Sequence, residues 1–332
     1  MDAVVAAALL EIAEDARVRA RQQDPVANRL VADRYPEMLE ALDWHLSVGQ
    51  PEAAYRLASA LVPFWVATAR IDDGDDWFER ALGAGDESAR ALYDHGYLVF
   101  FAGRYELADQ RFASALALAE TVGDRSLQAL ALAGSARVAL STDADAAVRL
   151  LRQALTVTEG LPDSDPGRSS SLHVLGVALQ MSGDLAGARE VMSARLSMGR
   201  SSGDEFVVWT ESANLSMVER RLGNLERAEQ LSLEALQVSA ARGEEMMIAW
   251  TVNGLAAVTA AAGDHGRAAV LLGTAAQMLR RAGGEWPPDE REQYDESLAE
   301  VAAALGPDAL AGALARGAGF SLTDGVAYAL RR

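Results

Sequence analysis

Residues 176–223 read GVALQMSGDLAGAREVMSARLSMGRSSGDEFVVWTESANLSMVERRLG, and the spacing inside this stretch decides the fold. Gly183, Gly203 and Gly223 stand twenty residues apart in an alanine- and leucine-rich chain, which reads as helix, turn, helix, turn. Asp184, Asp204 and Asn224 follow them directly. Glycine suits the left-handed residue that ends a helix, and the Asp or Asn after it can cap the next one. The same beat extends outward in both directions. Gly96, Ala136, Gly176, Ser216 and Ala256 lie forty apart, Gly103 and Gly263 extend the Gly183 and Gly223 series, and Gly123, Gly243 and Gly283 extend the Gly203 series. A fixed period of this size is the signature of an all-α helical solenoid built from hairpins of about forty residues.

Composition agrees with that architecture and narrows the chemistry. In 332 residues half are hydrophobic and only 6% aromatic, so the core must be mostly Ala, Leu and Val, packing closely spaced helices. One continuous domain is expected: an N-terminal helical segment over 1–86, regular hairpins over 87–284 and capping helices over 285–332. The formal charge of −18 would repel a phosphate backbone, so nucleic-acid binding by this chain alone is not expected. The sequence contains no lysine and no cysteine, which removes Schiff-base chemistry, a P-loop lysine, thiol catalysis and disulfides. Lack of cysteine fits a cytoplasmic protein. The apolar run from Leu57 to Ala69 is interrupted by Pro63 and falls short of the roughly 20 residues that span a bilayer. Residues 1–20 mix acidic and basic side chains, unlike a signal peptide. Neither a membrane partner nor export is expected.

Along the chain, helices are expected over 2–21, 27–47 and 51–70, the third kinked at Pro63. Asp72, Asp73, Asp75 and Asp76 read as capping residues in front of a short helix over 77–82. The first helices of the hairpins are expected over 88–102, 126–140, 168–182, 205–222 and 245–262, and the second helices over 105–121, 144–160, 185–201, 225–242 and 265–282. One hairpin departs from the pattern, because Thr142 and Asp143 replace the turn glycine and residues 162–167 form a looser loop. Three shorter helices are expected after Trp286, over about 288–305, 308–316 and 323–330. They read as the cap that covers an exposed core end.

Alanines at Ala108, Ala188, Ala228 and Ala268, with Ala115, Ala235 and Ala275 farther along, join the small residues of the first helices and the Leu or His before them. Together they resemble the tetratricopeptide repeat, in which small residues let two antiparallel helices approach closely. Arg195 stands where that pattern has Ala, implying a looser interface. The segments Leu39–Trp44, Pro63–Trp65 and Asp76–Leu82, with Trp286-Pro287-Pro288, Tyr294 and Phe320–Leu322 near the other end, resemble the MalT-like repeat region of bacterial regulators of the LuxR and AfsR types. That resemblance implies a sensor or interaction arm. The ATPase and DNA-binding modules of those regulators have no counterpart in these residues.

No motif announces catalysis. His45, His95, His173 and His265 are separated by whole elements, and none makes an i, i+4 metal pair. No cofactor or metal site is expected. The tetratricopeptide register instead implies that the first helices line a concave face, carrying Arg90, Tyr93, Tyr97, Ser170, His173, Gln180, Thr210, Met217, Arg220, Trp250 and Asn253. Aromatic rings beside amides and guanidiniums can stack against and hydrogen-bond a ligand; the plain alternative is that they pack against neighbouring helices. The expected function is a non-enzymatic, regulatory binding scaffold for a peptide, a protein segment or a small molecule. The alternative is an enzyme of bacterial specialised metabolism that uses His173 or Glu211 as general acid or base.

Overall fold

The computed structural model describes residues 1–331 apart from 22, 23, 25, 69, 83–87, 141, 244, 283–285 and 287. Among the described residues there are 18 α-helices and no strand. The chain divides into two compact units, Met1–Ser182 and Gly183–Arg332. The expected boundaries at 86/87 and 284/285 lie outside the described residues, as does Gly283.

Turn chemistry sets the helix ends where the glycine beat places them. Gly123, Gly203 and Gly243 have φ near +71° and close their helices in the left-handed conformation, at which a side chain would be strained. Asp124, Asp184, Asp204 and Asp264 each accept a backbone N–H from the first turn of the next helix. Asp143 and Asp165 do the same, so the hairpin without a turn glycine is still capped. Asn224 differs. Its side chain makes no cap bond and donates through Nδ2 to Glu219 Oε2 at 2.6 Å.

The first unit contains α1 (Ala3–Arg21), α2 (Val26–Ala32), α3 (Tyr35–Ser47), α4 (Pro51–Ala67) and α5 (Ile71–Leu82). The hairpins follow as α6 (Ala89–Phe101) with α7 (Tyr105–Val122), then α8 (Arg125–Ala139) with α9 (Ala144–Val157), and α10 (Pro166–Met181) packs on both α8 and α9. The single helix expected over 27–47 is two helices. Pro36 falls in the first turn of α3, where its missing N–H costs nothing, and the chain turns just before it.

The acidic cluster expected to precede a helix lies inside one, because α5 begins at Ile71. Its carboxylates serve tertiary contacts: Asp73 accepts the Tyr35 hydroxyl at 2.7 Å, and Asp75 faces His95 at 2.8 Å. The Tyr35 oxygen also accepts Trp65 Nε1 at 2.9 Å. Burial first, and Asp73 second, push the Tyr35 phenol up to about 12. Trp65, Phe78, Leu42, Leu57 and Leu61 fill the centre of this unit with essentially no exposure. Each contributes about 1.5–3 kcal/mol by leaving water.

The second unit contains α11 (Leu185–Ser202), α12 (Glu205–Arg221), α13 (Leu225–Arg242), α14 (Glu245–Ala261) and α15 (His265–Arg281), then α16 (Pro288–Leu305), α17 (Pro307–Ala318) and α18 (Leu322–Leu330). Arg195, expected to loosen its interface, is buried and ion-paired with the fully buried Glu211 across α11 and α12. A charge pair thus occupies the space that alanine packing would fill. At the end of the chain α17 lies against α15 with backbones in close approach. A Cβ added at Gly273 would meet the Leu314 carbonyl, and one at Gly317 would meet the Val270 carbonyl.

Candidate functional site

Every residue placed on the concave register stands on a first helix of a hairpin. Arg90, Tyr93 and Tyr97 are on α6, His173 and Gln180 on α10, Thr210 and Met217 on α12, and Trp250 and Asn253 on α14. Arg90, Tyr97, His173, Gln180, Thr210, Met217 and Trp250 are half-buried, whereas Tyr93 and Asn253 are buried.

In the first unit Arg90, Tyr93 and Tyr97 form a polar-aromatic cluster on α6, and His173 and Gln180 stand on α10. The i, i+4 spacing of Arg90 and Asp94 puts both on one side of α6, where the guanidinium donates to both carboxylate oxygens at 2.7 and 3.0 Å. Arg17 of α1 approaches the same carboxylate at 3.6 Å. Burial alone would lower the Arg90 pKa, but Asp94 more than reverses this. The Arg90 guanidinium lies 5.6 Å from the centre of the Tyr93 ring, and Tyr93 stacks on Tyr97 at 6.2 Å. Burial pushes the Tyr93 phenol up to about 12, so it is a neutral hydrogen-bonding group at physiological pH.

Arg137 of α8 stands between the two helices. Its Nη2 donates to Ser170 Oγ of α10 at 2.9 Å, and its charge acts on the Tyr93 hydroxyl. The guanidinium has no carboxylate partner among the described residues, and its buried Nη1 makes no hydrogen bond. A half-buried cation left with an open donor is costly unless something else meets it. Arg137 is absent from the expected concave set, although its signal is in the chain: it stands forty residues after Tyr97 and eighty before Met217. Ser170 links it to α10, and His173 stands one turn farther along that helix.

The second unit has a more apolar counterpart. Phe206 packs near Trp209 at 5.8 Å, and Trp209 stacks on Trp250 at 6.3 Å with rings 22° from parallel. Trp209 Nε1 donates to Thr251 Oγ1 at 3.0 Å, whereas Trp250 Nε1 is buried without a partner. The Thr210 hydroxyl is used locally, donating to the Phe206 carbonyl at 2.6 Å. Asn253 lies under α16 and donates to the Glu290 carboxylate at 2.7 Å and to its backbone carbonyl at 3.1 Å. Burial lowers the Arg220 pKa, with Glu296 and Glu300 pulling it back. Glu211 is enclosed with Arg195 between α11 and α12, where one hairpin meets the next.

Among the described residues, one cluster has the composition of a metal site: Asp75, Glu79 and His95. Two guanidiniums already neutralise it, Arg104 at 2.8 Å from Asp75 and Arg111 at 2.5 Å from Glu79. His95 is fully buried, stacked on Phe78 at 5.3 Å. This arrangement reads as a structural tie between α5, α6 and α7.

Residues 213–241, which cover most of α12 and α13, match the family described as Tetratricopeptide repeat. The fold is that of a tetratricopeptide-repeat array. The apo form of RapI is similar to the chain with a TM-score of 0.58 at 12% identity, over 95% of this chain and 85% of that one. A Rap protein complexed with Competence and Sporulation Factor is similar with a TM-score of 0.57 at 14% identity, over 98% and 97%. A signal transduction ATPase with numerous domains and a tetratricopeptide repeat sensor, from Pyrococcus horikoshii, is similar with a TM-score of 0.50 at 13% identity, over 93% of this chain and 48% of that one. No curated protein matches the sequence. Among the described residues, no helix is long and apolar enough to cross a membrane.

Proposed function

We propose that this protein is a regulatory binding scaffold whose first-helix surface holds a peptide, a protein segment or a small molecule without transforming it. The observation that carries this reading is Arg137, a cation with an open buried donor set beside Tyr93 and Ser170. Such a group is suited to an acceptor on a ligand, with Tyr93 and Tyr97 as the stacking wall. Arg90, held by Asp94, lies against the Tyr93 ring of that wall. His173 and Gln180 extend the surface along α10, while Thr210, Met217, Trp250 and Asn253 would serve the second unit. The likeness to a Rap protein complexed with a factor supports a binding role for a fold of this kind. The resemblance to MalT-like repeat regions adds the finer proposal that the chain is a sensor arm acting in the cytoplasm.

The test is a thermal-shift screen of wild type and R137Q against a peptide and metabolite library. Hits should raise the melting temperature of wild type and bind R137Q at least about tenfold more weakly, the worth of a charge-assisted hydrogen bond. The unliganded melting temperatures should match. Hits that bind both proteins equally, or a screen without hits, would contradict the proposal.

A further inference from the structure

Many arginines in this acidic chain are held by carboxylates, as Arg56 is by Glu14 and Arg104 by Asp75. Several near the C-terminus are not, and three of these share one place. Arg267 of α15, Arg316 of α17 and Arg331 beyond α18 pair with no carboxylate among the described residues, yet all line one surface cavity of 650 Å³. Among the described residues the only lining carboxylate is Asp264, and its Oδ1 already accepts the backbone N–H of Arg267 at 3.0 Å. Three cations against one anion leave the described lining with an excess of two positive charges. In a chain of net charge −18 such a local excess is the reverse of the background.

The groups are also set in place. Arg267 Nη2 donates to the Ala329 carbonyl at 3.0 Å, which fixes that guanidinium, while its Nε is buried without a partner. The Arg316 guanidinium lies 5.5 Å from the centre of the Tyr328 ring, which holds it over an apolar wall continued by Val270. Room is left on the opposite side: a Cβ added at Gly312 would meet nothing within 4 Å. The first turn of α15 borders the cavity, so the positive end of that helix reinforces the field.

We propose that this cavity binds a phosphorylated small molecule. A phosphomonoester carries close to two negative charges at neutral pH, matching the excess, and its oxygens suit the planar forks of arginine. The cavity is larger than a phosphate alone and falls in the size range of small-molecule clefts, so the organic part lies along Tyr328 and Val270. All of its lining residues belong to the second unit and lie on or directly beside α15, α17 and α18.

Calorimetric titration of the full chain with phenyl phosphate, inorganic phosphate and phthalate tests it, in wild type and in an R316Q/R331Q variant. Both substituted side chains are exposed and make no hydrogen bond, so the variant should melt as wild type does. Phenyl phosphate should bind wild type more tightly than inorganic phosphate, and at least about tenfold more weakly in the variant. Absence of phenyl phosphate binding, or equal binding by the variant, would overturn the site. Tighter binding of phthalate than of phenyl phosphate would overturn the phosphate assignment in favour of a dicarboxylate.

Discussion

At the scale of single residues, the buried charges divide into those the fold has satisfied and those it leaves open. Asp75 is satisfied by His95 and Arg104, whereas His95 meets Asp75 through Nε2 and keeps a buried Nδ1 without a partner. Burial raises the Asp75 pKa, but hydrogen bonds from His95 and Arg104 bring it below the usual carboxylate range. For His95 burial dominates and lowers the pKa, with Asp75 opposing. The folded protein therefore binds protons at His95 less readily than the unfolded chain does. This contribution to stability is full above the ordinary histidine pKa of about 6.5 and is lost as pH falls below it. The stability gap between wild type and H95Q, measured by urea unfolding, should accordingly narrow from pH 7.5 to pH 5. A gap that widens over that range would show that His95 is charged in the folded state. Arg137 belongs to the open class. It was legible only by register, because a single arginine in an alanine-rich helix has no motif to mark it, whereas Tyr93 and Tyr97 stand out by residue type.

At the scale of helices, close approach is set by glycines whose missing Cβ makes room for a neighbouring backbone. Gly167 lets α10 meet the Ser126 carbonyl, adjacent to the bond between Ser126 Oγ and Asp165 at 3.0 Å. In G167A the new methyl must push α10 away from α8, so the variant should lose about 1–3 kcal/mol in chemical denaturation. G312A has open space for its methyl and sits inside α17, so it should gain about 0.5–1 kcal/mol. Equal effects of the two substitutions would mean that helix propensity, not interhelical contact, governs both sites.

Helix ends were readable in the chain to within a residue or two wherever Gly and Asp stood together, because that pair determines the local backbone. Long-range chemistry was not readable in the same way. The role of Asp75 depends on Arg104 and His95 arriving from other helices, and the split of α2 from α3 depends on Pro36 in a run that otherwise has helical spacing. Asn253 shows the same limit. Its position on a first helix followed from the forty-residue period, but its contact with Glu290 required knowing where α16 lies.

At the scale of the whole molecule, two compact helical units carry different surfaces. The first presents tyrosines with an open arginine, the second a tryptophan pair and an arginine-lined cavity beside α15 and α17. Periodicity therefore specified the scaffold, while the differences between repeats set the surfaces it presents. The central claim is that the surface over α6, α8 and α10 is where a ligand sits. Hydrogen–deuterium exchange of the full chain, with and without a ligand found by the screen, tests it most directly. Protection should appear in segments 90–97, 134–140 and 168–175 and be lost in R137Q; protection confined to other helices, or unchanged in R137Q, would contradict the account.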